Sequence, residues 1–101
     1  MNEEVKRQVL QLILRRGNVD KVVVFGSRAR KDAKPYSDID IAVFAKKWSR
    51  SDCNIVKSEL DEDVHTALKF DLIHFDELPE GRFKDRIIKE GEVIYDSRTN
   101  Q

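Results

Sequence analysis

The chain has 101 residues, a length that predicts one domain over residues 1–101 with a small hydrophobic core. Its 19 basic and 19 acidic residues give a formal net charge of +0, which excludes a global positive field for direct binding of nucleic acid. Its apolar runs are too short to span a membrane and its N-terminus does not read as a signal peptide, so we expect a cytoplasmic protein without a membrane partner.

The first part of the chain predicts a helix, a strand and a tight turn. Apolar residues at near-helical spacing predict a first helix over Asn2–Arg16. Three successive valines predict a buried strand over Lys21–Phe25. Gly26 and Ser27 end this strand in a turn, and a short helix over Ser27–Asp32 can follow with free amides at its start.

The middle of the chain contains a strand in which carboxylates alternate with apolar residues. This strand is predicted over Ser37–Ala45, after a loop containing Pro35. Because side chains alternate along a strand, Asp38 and Asp40 share one face, and we expect the opposite face of isoleucine and valine to be the buried one. Ser51 can then cap a third helix.

The last part of the chain predicts two further strands and a helix. The third strand, over Leu68–Phe75, carries Asp71 inside an apolar run. An apolar stripe predicts a helix over Arg82–Glu90, and Glu92–Tyr95 can add a last strand. The alternation predicts an α/β (α+β) fold in which helices cover a small mixed sheet of undetermined strand order. The stripe consists of Phe83, Ile87 and Ile88.

The carboxylates of the second strand suggest a cation site. Asp38 and Asp40 stand roughly 6–7 Å apart at their Cα atoms on one face of the strand, and two like charges at that spacing favour a cation between them. Hard oxygen ligands suit Mg²⁺, and Asp71 is the candidate third acid of a site with two ions. Two alternatives remain open: hydrated acids on an exposed strand, and a third acid supplied by Asp76 or Glu77.

The turn before the short helix can bind phosphate. Gly26 allows the backbone to approach a phosphate closely, and Ser27 can donate from both its amide and its hydroxyl. Arg28 and Arg30 can neutralise a triphosphate. A glycine-serine turn alone is weak evidence, and arginines near it are most often surface charges, so only the combination with the acids is specific.

This combination resembles the signature of the DNA polymerase beta superfamily of nucleotidyltransferases, in which Gly-Ser is followed, after a spacer near ten residues, by two aspartates that flank one apolar residue. The matching residues here are Gly26, Ser27, Asp38 and Asp40. The string is similar in particular to the minimal nucleotidyltransferases, small prokaryotic proteins encoded beside a helical HEPN-domain partner. The resemblance is dense over residues 22–43 and looser as far as residue 95. One departure is Lys31, where the family commonly has glycine.

The resemblance implies a polymerase beta-like palm fold and an enzyme of the protein adenylyltransferase type. Asp38 and Asp40 would be metal ligands, Asp71 the third acid, and Gly26 with Ser27 the triphosphate contacts. The cofactor would be Mg²⁺, as two ions, and the substrate ATP. By this likeness the chain would transfer AMP to a tyrosine of a HEPN toxin, act as a type VII-like antitoxin, and form a hetero-oligomer with that partner.

Two other classes of function are weighed against this one. In the first, the chain is a catalytically inactive interaction module that neutralises a HEPN partner by binding alone, through apolar positions on a helix. In the second, it processes polynucleotides directly, which the neutral charge and the lack of a basic groove disfavour.

The remaining reactive side chains are interpreted as structural. Cys53, the single cysteine, predicts a buried thiol in a reducing compartment. His65 and His74 have no partner pattern for a metal. Tyr36, in the loop before the acids, is equally compatible with a place near the substrate and with one away from it. Three aromatic residues are interpreted as packing, although one near the site could hold adenine; they are Trp48, Phe70 and Phe83.

Overall fold

The computed structural model describes residues 1–30 and 38–99. Helices and strands alternate along these residues, which confirms the predicted α/β class. No helix in the described ranges is both long and apolar enough to cross a membrane. The elements are α1 Glu3–Arg15, β1 Lys21–Phe25, α2 Ser27–Arg30, β2 Ile39–Phe44, α3 Arg50–Asp63, β3 Phe70–His74, α4 Arg82–Glu90 and β4 Glu92–Asp96.

The strands form a four-stranded mixed sheet in the order β3-β2-β1-β4. β1 pairs antiparallel with both β2 and β4, while β2 and β3 run parallel. A parallel pair needs a crossover connection, and α3 provides it between β2 and β3. The mixed sheet confirms the prediction, and the structure adds the strand order that the sequence had left open.

The larger core lies between one face of the sheet and helices α1 and α3. The alternation of β2 turns its isoleucines and valine toward this core, as predicted. Trp48 is buried in this larger core, and its indole Nε1–H donates to the Gly17 carbonyl oxygen at 2.8 Å. The largest fully buried side chains of this core are Val9, Ile13, Val22, Ile39, Ile41, Val43, Val56 and Leu60.

A second, smaller core lies on the other face of the sheet, under α4. Ala42 is 0% exposed there, so the expectation that only the isoleucine and valine face of β2 is buried was wrong. Ile87 alone among the α4 side chains is buried, at 1% exposure, whereas Phe83 and Ile88 of the predicted stripe are exposed. The sequence pattern predicted the bounds of α4 correctly, but it did not predict which of its apolar side chains face the core. The buried members of this core are Val23, Phe25, Ala42, Phe75 and Ile87.

The start of α3 differs from the prediction. Ser49, not Ser51, caps this helix: its hydroxyl accepts from the Asp52 amide at 3.2 Å, and the Ser49 amide donates to Asp52 Oδ2 at 2.7 Å. This capping box requires an acidic side chain three residues after the cap, and Asp52 stands at that distance from Ser49. Cys53, in the first turn of α3, is partly rather than fully buried, and that burial raises the pKa of its thiol.

The end of α4 is held close to β1 by Gly91. A Cβ atom at this residue would overlap Val23 Cγ1 and lie 2.5 Å from the Ile87 carbonyl oxygen. Because the backbone there is extended, at φ −69°, any residue could adopt it. Close packing of α4 on the sheet is therefore the reason that a side chain does not fit.

Replacing Gly91 by alanine should lower the free energy of unfolding by about 1–3 kcal/mol, because the added methyl overpacks the junction of α4 and β1. Thermal or urea unfolding of the two proteins measures this change. At a position with room for the methyl group, replacing glycine by alanine would instead raise the free energy of unfolding by about 0.4–1 kcal/mol, because it lowers the conformational entropy of the unfolded chain. An increase in stability would contradict the tight packing of α4.

The capping box should also make stability depend on pH. The Ser49 amide, followed by the Arg16 side chain and the Ser49 hydroxyl, lowers the pKa of Asp52 from 3.8 to about 2. Because the folded pKa lies below the unfolded one, the stabilisation is complete above the unfolded value and is lost as the pH falls from about 4 toward 2. Urea unfolding across this range should show a steeper loss for the wild type than for Asp52→Asn. Parallel curves for the two proteins would contradict this role of Asp52.

Candidate functional site

The turn after β1 brings the backbone of Gly26 against the side chain of Asp40. β1 and β2 pair with Phe25 opposite Asp40, so the next residue, Gly26, turns beside that carboxylate. Gly26 has φ +74°, and a Cβ atom there would fall on Asp40 Oδ2 and lie 3.3 Å from its Cγ. Both the left-handed backbone and the lack of space require glycine at this position.

Helix α2 begins directly after this turn. Ser27 and Arg28 lie in it and are half-buried, and Ser27 directly follows Gly26, the residue that lies against the Asp40 carboxylate. Arg30 ends the helix, and its side chain lies outside the described part of the chain. The predicted loop with Tyr36, and Lys31 with its departure from the family pattern, also lie outside the described residues.

The predicted acids gather at one end of the sheet. The parallel register of β2 and β3 places Asp71 opposite Asp40, so these two residues share a face of the sheet. Asp38 lies directly before β2, two residues from Asp40 and on the same side by alternation. Asp38 and Asp71 are exposed, whereas Asp40 is half-buried.

The three acids have the oxygen ligands that a hard cation prefers, but their carboxylates do not form a compact cluster in the structure. Within residues 1–30 and 38–99, no three or more histidine, cysteine or acidic side chains lie close enough to form a metal centre. Carboxylates of like charge repel one another, and exposed aspartates can change rotamer at little cost. Carboxylate oxygens at this register therefore suit Mg²⁺, which takes few protein ligands and keeps several waters.

Asp76, the competing candidate for the third acid, lies at the opposite end of the sheet. Its Oδ2 accepts from the Ala45 amide at 2.7 Å, which ties the short 3-10 turn after β3 to the end of β2. His74 is buried beside it, with Nε2 2.7 Å from the Ala45 carbonyl oxygen. In the described ranges neither His74 nor the exposed His65 belongs to a possible metal cluster.

Two cavities flank the acids. The first, which we call the α4 cavity, has a volume of about 210 Å³ and lies between the turn of β1 and helix α4. The second, the β3 cavity, has a volume of about 580 Å³ and contains Asp38 and Asp71, with Lys57 and Lys69 nearby. The lining of the α4 cavity is Phe25, Gly26, Asp40, Phe83, Arg86, Ile87 and Glu90.

Sequence reasoning missed the contribution of α4 to this region. Phe70 is buried as predicted, but Phe83, also expected to be packing, is 47% exposed at the α4 cavity. Arg86 carried no motif and was not considered. The available signal was helical spacing, because residues 83, 86, 87 and 90 fall on one side of a helix.

Comparisons with known proteins identify the family of this chain. A family model described as polymerase beta nucleotidyltransferase matches residues 7–100. A Methanocaldococcus jannaschii protein, provisionally described as a protein adenylyltransferase, is 36% identical over 91 residues, which are 86% of this chain and 90% of that protein.

Solved structures share the fold. One provisionally described as a minimal nucleotidyltransferase is 27% identical, with a TM-score of 0.68, and the match covers 86% of each chain. Another belongs to the tri-AMPylated HEPN toxin of Shewanella oneidensis in complex with MNT antitoxin; it matches at 16% identity and a TM-score of 0.74, over 97% of this chain and 75% of that one. At 16% identity the likeness concerns the fold alone.

Gly26→Ala should destabilise the chain for two separable reasons. The left-handed backbone costs about 1–2 kcal/mol for any L residue, and the new methyl also displaces the Asp40 carboxylate. In an Asp40→Ala background only the first cost should remain, because the nearest surviving atom would be Asp40 Cβ at an ordinary 3.6 Å. Urea unfolding of the wild type, both single variants and the double variant measures the coupling. Equal penalties in the two backgrounds would contradict the close approach of residues 26 and 40.

Proposed function

The chain belongs to the polymerase beta family of nucleotidyltransferases, and we propose that it transfers AMP from ATP to a hydroxyl group on a protein partner, with Mg²⁺ as cofactor. The observation that carries this proposal is the register that sets Asp71 beside Asp40, next to the Gly26 turn. The provisional description of the M. jannaschii relative supports AMP as the group transferred.

The proposed reaction is an in-line displacement at the α-phosphorus of ATP. The acceptor oxygen forms a bond to this phosphorus while the bond to the bridging oxygen of the β-phosphate breaks, and pyrophosphate leaves. Gly26 and Ser27 would hold the triphosphate through backbone and hydroxyl donors, and Arg28 with Arg30 would neutralise it.

In this proposal the acids would hold the cation and Asp71 would face the acceptor. Mg²⁺, as two ions on Asp38, Asp40 and Asp71, would supply positive charge for the triphosphate. Asp71 is exposed in the β3 cavity, on the side of the acids away from α4, so an acceptor hydroxyl can reach it from solvent and pass its proton to the carboxylate or to water. The proposed acceptor therefore arrives through the β3 cavity.

We infer that the acceptor is a tyrosine of a HEPN-domain partner. This chain shares its fold with a chain of the Shewanella oneidensis complex, which contains an AMPylated HEPN toxin and an MNT antitoxin. The chain would then act as a type VII-like antitoxin, in a cytoplasmic hetero-oligomer with its target. A formal net charge of +0 argues for a protein rather than a nucleic acid as this partner.

The alternative is an inactive antitoxin that neutralises the same partner by complex formation alone. This reading needs an apolar binding surface, and two exposed side chains offer one: Ile88 of α4 is 64% exposed, and Val93 of the edge strand β4 is 52% exposed. Under this alternative, loss of an acid at the site leaves neutralisation intact.

One reaction separates the two functions. The purified chain is incubated with the HEPN-type protein encoded beside it, ATP and Mg²⁺, and the intact masses of both proteins are measured. We expect an added AMP on the partner with the wild type, and a rate lower by about 100-fold or more with Asp38→Asn, because a ligand of the cation is lost.

Asp85→Asn is the matched control for this reaction. Asp85 is an exposed aspartate in the first turn of α4 and lines neither cavity, so its variant should modify the partner like the wild type. A partner that stays unmodified by the wild type and is nevertheless neutralised would reject the enzymatic function in favour of the binding one.

A further inference from the structure

The α4 cavity lies between one end of the two central strands of the sheet and one face of a helix. Phe25 and Gly26 form its floor, and the side chain of Asp40 borders it. Ile87 anchors α4 in the smaller core, so the helix face next to it has a fixed distance from the Gly26 turn. The cavity is thus a preformed extension of the turn that would hold the phosphates.

Phe83 is an aromatic side chain that the core does not need. It is 47% exposed, and its ring contacts Phe25 in an edge-to-face arrangement with centroids 5.8 Å apart. One side of the residue is therefore held in place while much of the ring stays open to the cavity. A partly exposed, anchored aromatic ring is suited to stacking on a nucleobase, because every base has a π face.

Arg86 adds a cation to the same wall. Within residues 1–30 and 38–99 it forms no ion pair or hydrogen bond, whereas Lys84 on the same helix pairs with Glu80 at 2.8 Å. A guanidinium group beside the Gly26 turn can bind a phosphate oxygen in a bidentate manner. Arg86 is exposed, so it can adopt this position without leaving a packed environment.

The size and composition of the cavity select one part of a nucleotide. Its volume of about 210 Å³ is below the roughly 300–1,000 Å³ of sites that enclose a whole ligand, so it fits a part of a nucleotide rather than the whole. Its lining combines aromatic and aliphatic carbon with a few polar groups, as ligand sites do. The acceptor belongs on the other side, because Asp71 lies in the β3 cavity and not in this one.

We propose that the α4 cavity is the nucleoside subsite of this chain, in which Phe83 contacts the base and Arg86 binds the phosphates next to it. This proposal rests on the proposed function, because it assumes that the Gly26 turn binds the phosphates of ATP. The α4 cavity would then bind the rest of the same ATP molecule. It makes α4 a binding element as well as part of the fold.

Equilibrium binding measured without turnover tests the subsite. A non-hydrolysable ATP analogue and inorganic tripolyphosphate are each titrated into the intact chain with Mg²⁺, by calorimetry. Phe83→Ala should weaken the analogue roughly tenfold, the effect of losing one stacked base, and should leave tripolyphosphate unchanged. Arg86→Ala should weaken both ligands, because it would remove a phosphate contact.

Two residues on the same helix provide matched controls. Ile88→Ala and Arg82→Ala remove an exposed apolar and an exposed basic side chain that do not line the cavity, and should bind both ligands like the wild type. If Phe83→Ala does not fold, Phe83→Leu keeps an apolar side chain without an aromatic ring and should still weaken the analogue alone.

The outcomes distinguish the subsite from the proposed function. Equal affinity of the wild type, Phe83→Ala and Arg86→Ala for the analogue would overturn the subsite and leave nucleotide binding at the Gly26 turn in place. A wild type that binds neither the analogue nor tripolyphosphate would overturn the proposed function, and the subsite with it.

Discussion

The contact between the Gly26 backbone and the Asp40 carboxylate is the constraint on which the rest of the site depends. It follows from the antiparallel ladder of β1 and β2, the two central strands, which sets Phe25 opposite Asp40 at one end of the sheet. Both strands are buried on their larger-core face, so the turn and the acid cannot move independently. The candidate phosphate turn and the candidate metal ligand are therefore held close together by the two central strands of the sheet.

Identical side chains have different roles at the two ends of this sheet. At the end with Gly26, Asp71 is exposed and lies beside Asp40 without being drawn into a cluster, so its carboxylate is available to a cation or a substrate. At the other end, Asp76 accepts a hydrogen bond from the Ala45 amide and lies next to buried His74. Its carboxylate therefore connects the turn after β3 to the end of β2. Both residues are aspartates, so residue type alone does not distinguish the candidate ligand from the structural acid. The register of β3 against β2 distinguishes them, because it places Asp71 beside Asp40.

Local patterns predicted the parts of this structure that depend on local physics. The bounds of α4 and β1 agree with the prediction, since apolar spacing and β-branched runs express the same preferences that form them. The cap of α3 was misplaced because two serines compete, and only the side chain of Asp52 favours Ser49. Strand order and the exposure of Phe83 could not be predicted, because they depend on contacts between distant segments. In the structure, Ile87 packs in the smaller core that also contains Ala42, and Phe83 of the same helix stays 47% exposed.

The two faces of the sheet are covered unequally, and this leaves room for a site. Helices α1 and α3 fill one face with most of the apolar core, whereas α4 covers the other with a single buried side chain. A helix held by one buried residue and a close glycine contact can present the flanking residues of the same face to a ligand without loss of core packing. In a chain of 101 residues, the same short helix thus closes the second core and lines the cavity beside the acids. Asp71 is exposed in the β3 cavity, which residues of α3 and of the segment before β3 line in the described part of the chain. Under the proposed function, α4 would contribute to selectivity for the nucleotide, and the open β3 cavity would leave room for a partner to contribute to selectivity for the acceptor.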